Sequence, residues 1–113
     1  MTNEELEAHF RSLEWKIEYS QVGTQRFIIV RDYVIPTGNH AGKSCDVAIE
    51  RTTTVPYVPP PAIHTRPALT PLGTLNTMQS PLGPEWQYWS RVVRVQPTPQ
   101  KIVAHIATIF NEV

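Results

Sequence analysis

Apolar and polar positions alternate with changing period along this chain, and the changes mark its elements. Near the start, Leu6, Phe10 and Leu13 recur at helical spacing. Thr2 or Asn3 is a candidate N-cap, and Glu4, Glu5 and Glu7 sit where carboxylates favour the positive end of a helix. The spacing predicts a helix over Glu4 to Leu13. From Trp15 to Tyr19 the period becomes two, with Trp, Ile and Tyr set against Lys and Glu, a half-buried strand. Gln21 to Gln25, with Gly23, reads as a hairpin turn into a second strand over Phe27 to Ile35, and Phe27-Ile28-Ile29-Val30 predicts burial on both faces. Pro36-Thr37-Gly38-Asn39 stops that strand. Cys45 to Arg51 alternates again, with Cys45, Val47 and Ile49 on one face, as the third strand of an antiparallel meander.

Periodicity then fades. Pro56 to Pro61 suits neither a helix nor a central strand and is expected as extended chain laid over the sheet. Ala62 to Thr65 offers a short further strand. Arg66 to Pro84 holds four prolines and no period, a long irregular loop of the kind that is either functional or mobile. Glu85 to Val95 is rich in aromatics and leaves helix and extended chain both open. Thr98-Pro99 pairs an N-cap with a first-turn proline, and Ile102, Ile106, Ile109 and Phe110 form the inward stripe of a last helix, flanked by Val103 and Val113. The expectation is an α+β domain over residues 1–113. It has an N-terminal helix, a meander of three to four strands, a proline flap, a long loop and a C-terminal helix.

Composition narrows the function. Ten basic and ten acidic residues cancel, which excludes the single-sign field of a nucleic-acid binder. No apolar run is long enough for a bilayer, and the acidic start is no signal peptide. One cysteine, Cys45, cannot pair internally, which points to a reducing, cytoplasmic setting. His9, His40, His64 and His105 are scattered without ligand spacing, so neither a metal nor another cofactor is implied.

Two segments carry candidate chemistry. Tyr57-Val58-Pro59-Pro60 follows the third strand, and Trp86-Gln87-Tyr88-Trp89-Ser90-Arg91 precedes the last helix. The order helix, meander, Tyr-x-Pro-Pro, long loop, Trp, helix resembles the ubiquitin-conjugating (E2/UBC) fold. The Trp-x-x-Trp-Ser-Arg segment and the Ile35-Pro36-x-Gly38 turn are similar to those of its bacterial branch, prokaryotic E2 family E. The likeness runs from about Glu4 to Val113. Val92 stands where relatives often carry His, and the eukaryotic His-Pro-Asn tripeptide is missing; His64-Thr65-Arg66-Pro67 echoes it loosely.

The resemblance implies an E2-like part in a bacterial ubiquitin-like conjugation system, in the setting of antiphage defence. Its implied partners are an E1-like adenylating enzyme, a ubiquitin-like protein and a JAB-type peptidase. An E2 enzyme holds its cargo as a thioester on a cysteine, because thiolate is both a good nucleophile and a good leaving group. Here the segment from Pro56 to Arg91 has no cysteine. Counted from Pro59-Pro60 and back from Trp89-Ser90, the spacings of the cysteine in eukaryotic relatives both land near Ser80. Within the resemblance two outcomes stay open, and outside it the chain reads as an unrelated α+β binding domain. In one, Ser80 or else Thr77 carries an oxyester, with His64 as base and Asn76 serving the oxyanion; the bland counterpart is an ordinary Ser-Pro turn. In the other, the chain is a non-catalytic adaptor like the UEV and RWD relatives. Cys45, on an apolar strand face, reads as a small buried hydrophobe. The first helix, around Glu4, His9 and Arg11, is the implied E1-docking face. Trp86, Trp89, Ser90 and Arg91 are candidates for binding a partner, Arg91 through a bidentate grip on a carboxylate, against the alternative that they only anchor the loop.

Overall fold

The computed structural model describes residues 1–52, 54, 57–94 and 96–113. Pro56, the first residue of the expected flap, and Val95, the end of the aromatic segment, lie outside the described residues. Helix α1 spans Asn3–Ser12, with the Thr2 hydroxyl accepting the Glu5 N–H at 3.1 Å. Strands β1 (Lys16–Val22), β2 (Gln25–Val34), β3 (Ser44–Glu50), β4 (Ala62–Arg66), β5 (Thr77–Gln79) and β6 (Gln87–Ser90) follow. Helix α2 (Pro99–Thr108) continues into a 3-10 turn over Ile109–Glu112. The fold is α+β, consistent with an E2-like architecture.

Six antiparallel strands form one sheet in the order β1-β2-β3-β4-β6-β5. The expected meander is therefore extended by two strands. Glu85 to Val95 contributes β6, and the loop beyond Arg66 contributes β5, which returns to pair outside β6. Both strands are too short to print a period on the sequence.

Strand alternation divides the side chains between two faces. The helix-covered face holds Ile28, Val30, Cys45, Val47, Ile49, Ile63 and Trp89 against Leu6, Phe10, Ile102, Ile106, Ile109 and Phe110. The predicted α2 stripe is thus buried as read. Leu13 departs from its stripe: it caps α1 and is 41% exposed, because the helix ends at Ser12 and Glu14 turns the chain with a φ of +64°. Tyr57 joins the core from the flap, and Pro59 and Pro60 border α2 near Ile102 and Ile106.

Phe27 to Val30 is buried on both faces, as its unbroken apolar run predicts. The second face is apolar in its middle, where Ile29, Ala48 and Trp86 cluster beside Leu82. One irregularity matters there. The β2–β3 register shifts between Val30 and Tyr33, and Asp32 takes a φ of +54°. This bulge keeps Tyr33 in the core and leaves Asp46 Oδ1 to accept the Asp32 N–H at 3.1 Å.

Candidate functional site

On β4, Ile63 and Thr65 point into the core, so alternation sends His64 to the second face, with Ala48 and Tyr88 opposite it. The imidazole stands edge-on to Phe27 and Tyr88, each with a centroid separation of 5.3 Å. Ser80 follows β5 on the same face. Its N–H donates to the Trp86 carbonyl at 3.3 Å, and its hydroxyl accepts the Leu82 N–H at 3.1 Å. The first bond continues the β5–β6 ladder; the second, with the Gly83 N–H donating to the Ser80 carbonyl at 3.4 Å, closes a turn over residues 80–83. The same hydroxyl lies 2.7 Å from His64 Nδ1. Ser80 and His64 are each 3% exposed.

Burial pushes the His64 imidazole down to about 4, so the ring is neutral near pH 7. The hydroxyl can then donate to Nδ1 while accepting from Leu82. A serine hydrogen-bonded to a histidine is the geometry of an activated nucleophile. Two facts weaken it as one: both groups are shut away from an incoming carbonyl, and a base this weak takes little of a serine proton at neutral pH.

The turn bearing Ser80 is braced from beneath. The Arg66 guanidinium lies 4.6 Å over the Trp86 ring and donates to Asp46 Oδ2 from Nε at 3.0 Å and Nη2 at 2.7 Å. Arg31 Nε donates to Asp46 Oδ1 at 3.2 Å. Burial raises the Asp46 carboxyl, but the Arg66 hydrogen bond, the Asp32 N–H and the two guanidiniums outweigh it, and the group ends below the ordinary carboxylate value.

The other proposed loop groups do not gather at Ser80. Thr77 is buried on the helix side of the sheet, opposite Trp89. Its hydroxyl donates to the Thr74 carbonyl at 2.7 Å and accepts from Gln87 Nε2 at 3.0 Å. Asn76 sits exposed in the preceding turn at a φ of +55°, and its carbonyl accepts the Ser90 N–H. Cys45 is buried, and burial, with Asp46 nearby, pushes its thiol up to about 12. Such a thiol is inert.

The surface candidates are mostly engaged within the chain. Arg91 donates to Glu112 at 3.1 and 2.9 Å, to the Leu75 carbonyl at 2.8 Å and to the Ser90 carbonyl at 2.7 Å. Its fork grips the last turn of this chain in the place of a partner's carboxylate. Trp89 is in the core, donating from Nε1 to Thr65 Oγ1 at 3.0 Å, while Trp86 packs on the second face and Ser90 is exposed. On α1, Glu4 is exposed and meets Arg51 at 3.3 Å, Arg11 donates to the Tyr19 hydroxyl at 2.9 Å, and His9 is half-buried.

Sequence reasoning missed two organising residues. Glu7 is only 4% exposed, pairs with Arg51 Nε at 2.8 Å and accepts from the Tyr19 hydroxyl at 2.7 Å. Its signal was its place between Leu6 and Phe10, inside the helical stripe. Gln87 is fully buried; it accepts the Leu69 N–H at 2.9 Å and donates to the Thr70 carbonyl at 2.9 Å and to Thr77. It holds the loop before β5 in place, and no local pattern announces it.

Among the described residues, no helix is long and apolar enough to cross a membrane. No curated protein and no solved structure matches the chain. A family model described as Prokaryotic E2 family E matches residues 3–113. With that match spanning an α+β fold whose sheet is flanked in sequence by the two helices, the chain belongs to prokaryotic E2 family E.

Proposed function

We propose that this chain is the E2-like component of a bacterial ubiquitin-like conjugation system and that it positions its ubiquitin-like protein by binding alone. The observation that carries this reading is the burial of every candidate nucleophile: Cys45 is 5% exposed, Thr77 3% and Ser80 3%. The Thr77 hydroxyl is held by Thr74 and Gln87, the Ser80 hydroxyl by Leu82 and His64, and the Cys45 thiol is held protonated. A family frame with its chemistry closed off matches the adaptor alternative. The E1-like enzyme and the JAB-type peptidase are the other partners of this reading, with the α1 face around Glu4, His9 and Arg11 as the docking side for the former.

Titration of the ubiquitin-like protein into isotope-labelled chain tests the reading. We expect saturable shifts in wild type and equal affinity in Ser80→Ala. An affinity that collapses in a folded Ser80→Ala, or no binding at all, contradicts it.

A second reading rests on the 2.7 Å contact between Ser80 and His64. If the turn over residues 80–83 opens on docking, Ser80 Oγ attacks the activated C-terminal carbonyl. His64 takes the hydroxyl proton and the adenylate leaves as AMP, yielding an oxyester. Alkaline lability of the adduct and its loss in Ser80→Ala are its signature.

A further inference from the structure

The two edges of the sheet differ. On β5, the Ser90 N–H reaches the Asn76 carbonyl and the Ser80 N–H reaches Trp86, so the even positions face β6 and the odd ones face outward. The outward groups at Thr77 are already taken: its N–H donates to Thr74 at 3.0 Å and its carbonyl accepts from Gly73 at 2.9 Å. Among the described residues, Gln79 alone presents open backbone on that strand.

The β1 edge is the reverse. Val22 pairs with Gln25 across a two-residue turn in which Gly23 has a φ of +59°. Residues flanking such a turn form a hydrogen-bonded pair, so Val22, Ser20, Glu18 and Lys16 bond to β2. The N–H and carbonyl of Ile17, Tyr19 and Gln21 therefore face away, and no backbone bond outside the ladder engages them among the described residues. β1 holds no proline, its register with β2 is unbroken, and its central residue Tyr19 is 52% exposed. An open, regular edge of this length is a template for another strand.

We propose that this strand is β1 of a second copy, paired antiparallel about a two-fold axis at Tyr19. The side chains select both the partner and the register. With Tyr19 opposite Tyr19, Ile17 faces Gln21, Glu18 faces Ser20 and Lys16 faces Val22 of the second copy, and every outward backbone group finds a mate. A two-residue shift one way sets Glu18 against its own copy, a like-charge contact that destabilises a ladder. A larger shift in that direction needs the Trp15 N–H, which already donates to the Phe10 carbonyl at 3.2 Å. A shift the other way runs β1 past its turn and loses hydrogen bonds. The formal net charge of +0 sets no whole-body repulsion against self-association. Because the β5 edge is blocked, pairing closes at two copies and does not propagate into a fibre.

Sedimentation equilibrium of the full chain, up to ~0.5 mM, tests this. Gln21→Pro deletes an outward N–H while leaving the bonds to β2 in place. Tyr19→Lys sets two like-charged side chains opposite each other at the axis. We expect a wild-type dimer and a dissociation constant raised about tenfold or more in each variant, with thermal melting little changed. A wild type that stays monomeric across the range overturns the proposal. So does a folded Tyr19→Lys that dimerises as tightly as wild type, which keeps the test decisive even where Gln21→Pro does not fold.

Discussion

Ser80 and His64 hold each other's polar atoms out of water, and that makes the pair a measurable part of stability. Ser80→Ala removes the partner of a buried ring nitrogen and should cost about 1–2 kcal/mol, read as a lower denaturant midpoint at unchanged slope. Its pH dependence follows from His64. The folded value, about 4, lies below the unfolded 6.5, so between them the unfolded chain binds the extra proton. The contribution is complete above pH 6.5 and is lost as the pH falls through 4, amounting to about 3 kcal/mol. Urea midpoints measured from pH 7.5 to 4 should show this loss in wild type and a shallower one in His64→Gln. The resemblance drew attention to Ser80 through the spacing of eukaryotic relatives, and to His64 as the histidine close to it in the layout; the 2.7 Å contact between them is read from the structure alone. The face on which Thr77 lies was not legible beforehand. That depends on residues 77–79 forming a strand, which three residues cannot signal.

Among the elements, the helix N-termini were the most legible, since capping is local chemistry: Thr2 and Thr98 accept the bonds their positions predict, from Glu5 and Lys101. The turns that dock elements on one another depend on remote atoms. Gly38, at a φ of +79°, lies so close to the C-terminal 3-10 turn that a Cβ would overlap the Phe110 carbonyl oxygen, and the neighbouring Asn39 N–H donates to the Val113 carbonyl at 3.1 Å. Gly38→Ala should cost about 3 kcal/mol or more, because backbone on both sides has to move and the φ is unfavourable for alanine. A thermal melt of that variant checks it. Glu7 and Arg51 tie α1 to the end of β3 in a similar way. Arg51→Ala strands a carboxylate that is 4% exposed and should cost about 3 kcal/mol, against a much smaller effect of Glu4→Ala on the exposed end of the same pairing. Chemical denaturation of the two variants side by side separates the buried bond from the surface one.

At the scale of the whole molecule, the family frame is retained and the loop holds a buried serine, Ser80, whose hydroxyl contacts both His64 and the Leu82 N–H. The braces around it, with Arg66 on Trp86, Gln87 under the loop and Arg91 on Glu112, all hold the loop closed. A loop built to deliver a covalent cargo needs the opposite, an accessible group poised to react. This supports the proposal that the chain works by binding. The most direct test is the intact mass of the chain after incubation with the proposed partners, an E1-like enzyme and a ubiquitin-like protein, and ATP. The account predicts an unmodified mass at all times. A mass increase equal to the ubiquitin-like protein less water, removed by mild alkali and absent in Ser80→Ala, would contradict it.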